Sequence, residues 1–220
     1  MSMNETIDIY CERVSPVFWA EPVNAITNAA FLVAALAGLW LWRRRTPDDW
    51  AGLALIVIVF ATGVGSFLFH TFATRWALLT DVIPIALFIH LYLLIALRRY
   101  LELHWVICVS IVIGFLVLSP MVGEVWAPLI GSSAGYIPAL GAIFVVGGFY
   151  YPKNRQLALW VLGTGCVFAL SLTFRTLDLP VCDGFPLGTH FLWHMLNAVV
   201  LFLLLRVLIW QRAGYTGSTS

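Results

Sequence analysis

Residues 188–210 read GTHFLWHMLNAVVLFLLLRVLIW. Apart from its first few residues this is one apolar run, and a helix needs about 20 mostly apolar residues to cross a bilayer. Working outward, six more stretches have the same character, at about 22–42, 51–70, 77–97, 105–120, 127–150 and 156–174. Isolated Gly, Pro and polar residues inside them do not argue against helix, because neighbouring helices re-satisfy the backbone. The 220-residue chain is 61% hydrophobic and 10% charged, against roughly 45–50% and about 25% in soluble domains. A water-soluble fold of this size cannot hide so much apolar surface. A soluble enzyme, a disordered chain and a nucleic-acid binder are therefore excluded, and a net charge of +1 provides no basic field for phosphates. The expectation is an all-α membrane protein, a seven-transmembrane helix bundle forming one domain over 22–212. Residues 1–21 form an extracytoplasmic segment, and the polar tail 213–220 is expected to be disordered. The first 21 residues carry Glu5, Asp8, Glu12 and Glu21 and lack the basic start of a signal peptide.

Orientation follows from the basic residues. With seven spans, Arg43, Arg44, Arg45, Arg98, Arg99, Lys153, Arg155 and Arg212 fall at one set of ends; Arg13, Arg75 and Arg175 fall at the other. That predicts the N-terminus outside and the C-terminus in the cytoplasm, with Arg206 inside the last span. Trp42, Trp50, Trp76, Trp105, Trp126 and Trp210 sit near span ends, as an aromatic belt does. Eleven arginines to one lysine hint at a bacterial source. In that case the membrane is the plasma membrane and its outer face is periplasmic.

Ionisable residues inside spans are expensive and mark function. Span two ends in Gly65-Ser66-Phe67-Leu68-Phe69-His70, span three starts near Asp81, and span seven starts at His190 and His194. The topology puts all four ionisable groups near the outer ends of three spans, at one depth. His190 and His194 are spaced i,i+4, so they share a helix face about 6 Å apart, the geometry of a helical two-histidine zinc half-site. His70 would complete a three-histidine zinc centre with a fourth position for water. Asp81 is then the candidate general base, and Ser66, also i,i+4 from His70, the candidate oxyanion or water-positioning group. A purely structural polar network is the alternative for this cluster. His90, deeper in span three, is expected to make an interhelical hydrogen bond, as are Asn28 and Asn197. His104 is expected in an interfacial loop, and Gly131 and Gly135 to mark close helix packing.

At these residues the chain resembles the alkaline ceramidase family, seven-span zinc amidases of a superfamily that includes the adiponectin receptors. The resemblance covers nearly the whole chain. It rests on Ser66-x₃-His70, Asp81, His190-x₃-His194, and on Tyr10-Cys11-Glu12 followed by Ala20-Glu21-Pro22-Val23-Asn24-Ala25-Ile26-Thr27-Asn28. It implies that His70, His190 and His194 hold zinc, that Asp81 and Ser66 assist at the bound water, and that the reaction is hydrolysis of ceramide to sphingosine and a fatty acid. It also implies calcium at the N-terminal acidic segment. Glu12 and Glu21 match family ligand positions, Asp8 is displaced by one, and the Tyr10 carbonyl is a further candidate. Val14 stands where the family has an asparagine ligand, and the segment before Glu21 is shorter by two residues. The alternative there is a solvated acidic N-terminus. The family further implies a disulfide between Cys11 and Cys182, both in outer segments. Cys108 and Cys166 lie within spans and are expected to be reduced core residues.

Other functions remain open at this point. A non-catalytic receptor-like lipid sensor suits seven spans, and a hydrolase of another lipid amide or ester keeps the chemistry. A haem protein is disfavoured because His190 and His194 lie side by side and cannot be the two axial ligands of one haem. A transporter is disfavoured because the polar residues cluster to one side, with no visible repeat.

Overall fold

A computed structural model describes residues 2–214; residues 215–220 of the expected disordered tail lie outside the described residues. The helices are α1 (Pro22–Thr27), α2 (Ala29–Arg45), α3 (Trp50–Phe72), α4 (Arg75–Arg99), α5 (Trp105–Ile130), α6 (Ile137–Tyr150), α7 (Arg155–Leu177) and α8 (His190–Arg212). Short 3₁₀ turns occupy Gly131–Tyr136 and Leu179–Val181. Among the described residues there is no β-strand beyond an isolated bridge between Thr6 and Thr74. Six helical segments are long and apolar enough to cross a membrane: Pro22–Arg45, Trp50–Phe72, Arg75–Arg99, Trp105–Tyr150, Arg155–Leu177 and His190–Arg212.

Two of these segments differ from the expected spans. The break expected within 120–127 does not occur, because α5 continues through Pro120 and Pro128 to Ile130. Proline is tolerated inside membrane helices where neighbours re-satisfy the freed carbonyl. The chain turns instead at Gly131, whose φ of +56° suits glycine. Gly131 and Gly135 thus lie in the Gly131–Tyr136 turn rather than in a helix-packing motif. The first span is two helices meeting at Asn28, whose side-chain amide donates to the Asn24 carbonyl at 2.8 Å, within its own segment and not across to another helix.

The core runs through α2, α3, α4, α7 and α8, with Leu55, Leu157, Leu205, Leu208 and Ile209 fully buried. The α5 helix lies at the edge, with Cys108 its only buried residue. Cys166 faces outward on α7 rather than into the core, and both free cysteines are unbridged as expected. Arg206 lies over the rings of Trp160 and Trp210, at 4.6 and 3.9 Å from their centroids. Gly65 sets the closest helix contact. A Cβ there would sit 1.9 Å from the Thr80 carbonyl oxygen, so only glycine lets α3 and α4 approach backbone to backbone. That approach brings Ser66 beside Asp81.

The end of the bundle away from the histidines is held by Asp49. Its side chain accepts from Gly52 N–H at 3.2 Å and caps α3. Its carbonyl accepts from Trp42 Nε1 at 2.8 Å, and both carboxylate oxygens accept from Arg99, at 2.6 and 2.7 Å. One buried acid thus ties α2, α3 and α4. Burial works to raise its carboxyl, but the Arg99 bonds and charge outweigh it and hold it below the usual carboxylate range. A carboxyl with a lowered folded value stabilises above its unfolded value of about 3.9 and loses that contribution as pH falls through the folded value. Asp49→Ala should therefore lower the unfolding midpoint in detergent, by a loss of about 1–3 kcal/mol. The gap from the parent protein should close as the pH is taken below about 3.9, as read by thermal melts across pH.

Candidate metal centre

His70 lies in the last turn of α3 and His190 begins α8, with His194 one turn on. All three are at most 2% exposed. Their ring centroids are 5.2, 4.7 and 4.6 Å apart for the pairs 70–190, 70–194 and 190–194. One nitrogen from each falls within 4.8 Å of the others. His70 Nε2 and His190 Nδ1 are buried with no protein partner. Buried imidazole nitrogens without a partner are costly unless something binds them. Three neutral imidazoles suit a divalent ion of nitrogen preference, so the donor set fits a metal ion.

The rings are held from behind. His70 Nδ1 donates to Glu21 Oε2 at 2.6 Å, which leaves Nε2 as the free lone pair. Thr27 Oγ1 lies 2.8 Å from the Val23 carbonyl and 3.0 Å from His194 Nδ1. A hydroxyl that gives its proton to Val23 accepts from His194 Nδ1–H, which again leaves Nε2 free. These are the carboxylate and hydroxyl partners that fix tautomer and orientation around metal-bound histidine. The Tyr10 ring stacks on His190 at 3.8 Å. Burial pushes the Tyr10 phenol up even against the charge of Arg175, so it stays protonated.

The start of α8 is fixed by Asp178. Its Oδ1 accepts from Thr189 N–H and His190 N–H, each at 2.8 Å, and its Oδ2 accepts from Cys11 N–H at 3.0 Å. Cys11 is bridged to Cys182 with Cα atoms 5.5 Å apart. The N-terminal segment, the α7–α8 connection and the first histidine of α8 are thereby joined at one point.

A cavity of about 230 Å³ opens beside the histidines, with Ser66, Asp81, Tyr10, Arg175, His190 and His194 on its wall. Asp81 is 8% exposed and its Oδ1 has no partner. Ser66 lines the same cavity wall, next to the glycine that packs against the Asp81 backbone. Arg175 also faces the cavity. Its Nη1 donates to Ser132 at 2.7 Å and to Ser133 at 3.2 Å, and its guanidinium lies 5.2 Å from the Tyr136 ring centroid. Two more cavities follow. One of about 70 Å³ shares Ile85 and Tyr136 with the first, and one of about 550 Å³ between α4, α5 and α6 shares Leu93, Ala142 and Val146 with the second. Apart from Asn197 and Ser119, the walls of these two are apolar or aromatic.

The other sequence candidates lie elsewhere. His90 Nδ1 donates to Ala86 O at 2.7 Å within its own helix, and its ring packs edge-on against Phe115. His104 caps α5, accepting from Val106 N–H at 3.3 Å. The calcium candidates do not form an oxygen cage. Asp8 is exposed, and the two Glu12 oxygens cap α1 by accepting from Val23 N–H at 2.7 Å and Asn24 N–H at 2.8 Å. Burial raises the Glu12 carboxyl despite those two donors. Glu21 is taken by Arg13 and His70, with Asn24 at 3.3 Å. Burial works to raise Glu21, but the bonds from His70 and Arg13 outweigh it and hold its carboxyl below the usual range. Among the described residues, the three histidines are the one group of metal-capable side chains that converges.

The chain is a bundle of membrane-length apolar helices with a buried three-histidine group that could hold a metal ion at one end. The Ceramidase family profile matches residues 5–220, and the chain belongs to that family. Membership makes it an amide hydrolase acting on a lipid substrate. No curated protein matches the chain.

Asp178, Glu21, Thr27 and Arg175 carry no zinc-ligand signature in the sequence, so their roles show only in the fold. Asp178→Ala would leave three N–H groups without their acceptor, each costing about 1–3 kcal/mol if it stays buried. The expected result is a lower unfolding midpoint and faster metal loss on dialysis, with the Cys11–Cys182 bridge intact; metal analysis and non-reducing mass spectrometry check it.

Proposed function

We propose that this protein is a zinc-dependent ceramidase that cleaves the amide of ceramide to sphingosine and a fatty acid. The observation that carries the reading is the convergence of three buried histidines beside an acid with a free oxygen, in a cavity that leads into apolar space. Zinc held by His70, His190 and His194 would supply a Lewis acid for the carbonyl and a water of lowered pKa.

The protein's own groups account for the remaining steps. Asp81 Oδ1 takes the proton of the attacking water as its oxygen bonds to the amide carbon. When the C–N bond breaks, Asp81 returns that proton to the departing amine, so one water yields one acid and one amine. Ser66, on the same cavity wall, would hold Asp81 or the water in position. Arg175 sets a fixed positive charge on the cavity wall, which favours an oxyanion at the carbonyl and the carboxylate of the product. The adjoining cavities suit the alkyl chains of a two-chain lipid. A hydrocarbon chain buried there adds about 0.8 kcal/mol per methylene.

The same reading places seven crossings in the membrane, with α5 and α6 as separate spans, the N-terminus outside and the C-terminus in the cytoplasm. The pairs group the residues by end: Arg75 meets Glu5 at the histidine end, while Arg212 meets Asp48 and Lys153 meets Glu102 at the other. The excess of basic residues at that other end favours the cytoplasmic side. The site then lies toward the outer leaflet, within reach of a lipid entering sideways, in the plasma membrane if the source is bacterial.

His194→Ala should abolish both zinc binding and fatty-acid release from labelled ceramide. Asp81→Ala should keep most of the zinc and lose at least about 100-fold in turnover, the scale of a lost general base. Retained hydrolysis in His194→Ala contradicts the ligand assignment. Full turnover in Asp81→Ala contradicts the base.

A further inference from the structure

We infer that the guanidinium of Arg13 does the work of a divalent cation in the N-terminal segment, so that this protein builds its metal centre without calcium. Arg13 is 6% exposed, a buried charge that must be matched. Its shell consists of oxygens. Nε donates to Glu21 Oε1 at 2.5 Å, Nη1 to the carbonyls of Ser15 at 3.1 Å and Val17 at 3.4 Å, and Nη2 to the carbonyl of His70 at 3.0 Å. One carboxylate and three main-chain carbonyls, two from the loop and one from the last turn of α3, are the kind of donors a calcium ion gathers. Here they close around a cation that the chain itself supplies.

The remaining acidic groups leave no second place for an ion. Both Glu12 oxygens are spent on the first N–H groups of α1, and Asp8 is exposed. A dication brought to Glu21 would lie against the guanidinium and be repelled. Charge is already balanced there, with Arg13 and Glu21 3% exposed in their side chains. The exchange of an ion for an arginine also matches the local sequence. Residue 14 is Val14, an apolar and exposed side chain with no oxygen to offer.

The consequence reaches the metal centre. Arg13 fixes Glu21 through Oε1, and Glu21 fixes His70 through Oε2. Arg13 also grips the carbonyl of His70 itself. It is a positioning residue, acting on a metal ligand through both its ring and its backbone. An ion with a dissociation constant would make that support depend on the calcium outside the cell; an arginine makes it permanent.

The test uses the full chain, loaded with zinc and dialysed into calcium-stripped buffer. Its unfolding midpoint and zinc content should not change when calcium is added to several millimolar, the range in which weak extracellular calcium modules fill. Terbium luminescence, with terbium as the calcium probe, should show no stoichiometric site. Arg13→Gln should weaken zinc retention by about 10–100-fold, the effect expected for an outer-shell partner, and Arg13→Lys should recover part of it. A stoichiometric calcium or terbium site in the parent protein, or a midpoint that rises with calcium, overturns the inference. So does an Arg13→Gln protein with parent-like zinc retention. If Arg13→Gln does not fold, the calcium titration of the parent decides alone. All these readouts are independent of hydrolysis, so they stand or fall separately from the ceramidase reading.

Discussion

His70 Nδ1 donates to Glu21 Oε2 at 2.6 Å, and the histidine end of the molecule is arranged around that bond. It joins a helix of the bundle to a segment that precedes the first span. An imidazole buried at this depth needs a defined tautomer to act as a ligand, and a carboxylate behind it supplies one. A carboxylate buried at the same depth needs a cation, which Arg13 provides at Oε1. The loop carrying Arg13 must then be fixed, which the Cys11–Cys182 bridge and the bond from Cys11 N–H to Asp178 achieve. Asp178 in turn holds the first turn of α8, and with it His190. Each buried polar group thus recruits the next, and the chain of partners ends only where the segment reaches the surface.

Charge is confined to the two ends of the bundle, and its middle is left to apolar side chains. One end holds the histidines, Asp81, Arg13 and Arg175. The other is closed by Asp49 and Arg99. Between them lie Phe88, Leu93, Val146 and Leu204 around space that the packing does not fill. Gly65 makes the junction possible, since the close contact of α3 with α4 brings Ser66 beside Asp81. A reactive centre at one depth and apolar room beneath it is what a two-chain lipid amide requires.

The helices and the histidine cluster were legible in the sequence for one physical reason. Lipid tolerates few ionisable groups, so the four that stand at the same end of three spans stood out against an apolar background. The end of α5 was not legible, because Pro120 and the small residues near it read as a break in water but not in a bundle. Arg13 and Arg175 looked like ordinary interfacial cations, since nothing in their neighbours announces burial. Asp178 sits twelve residues before His190, and no local pattern links a capping acid to a helix start across a loop. Ser66 was found by its spacing from His70, but it stands beside Asp81, a placement set by the glycine that precedes it. The calcium candidates Glu12 and Glu21 stand on either side of Arg13, and the guanidinium takes a Glu21 oxygen that the acidic positions alone leave open.

Metal analysis by mass spectrometry, paired in one preparation with fatty-acid release from labelled ceramide, bears most directly on the three-histidine centre. The predicted result is close to one zinc per chain, with release that stops when a chelator removes the metal and returns when zinc is restored. Hydrolysis by protein that holds no zinc would contradict it.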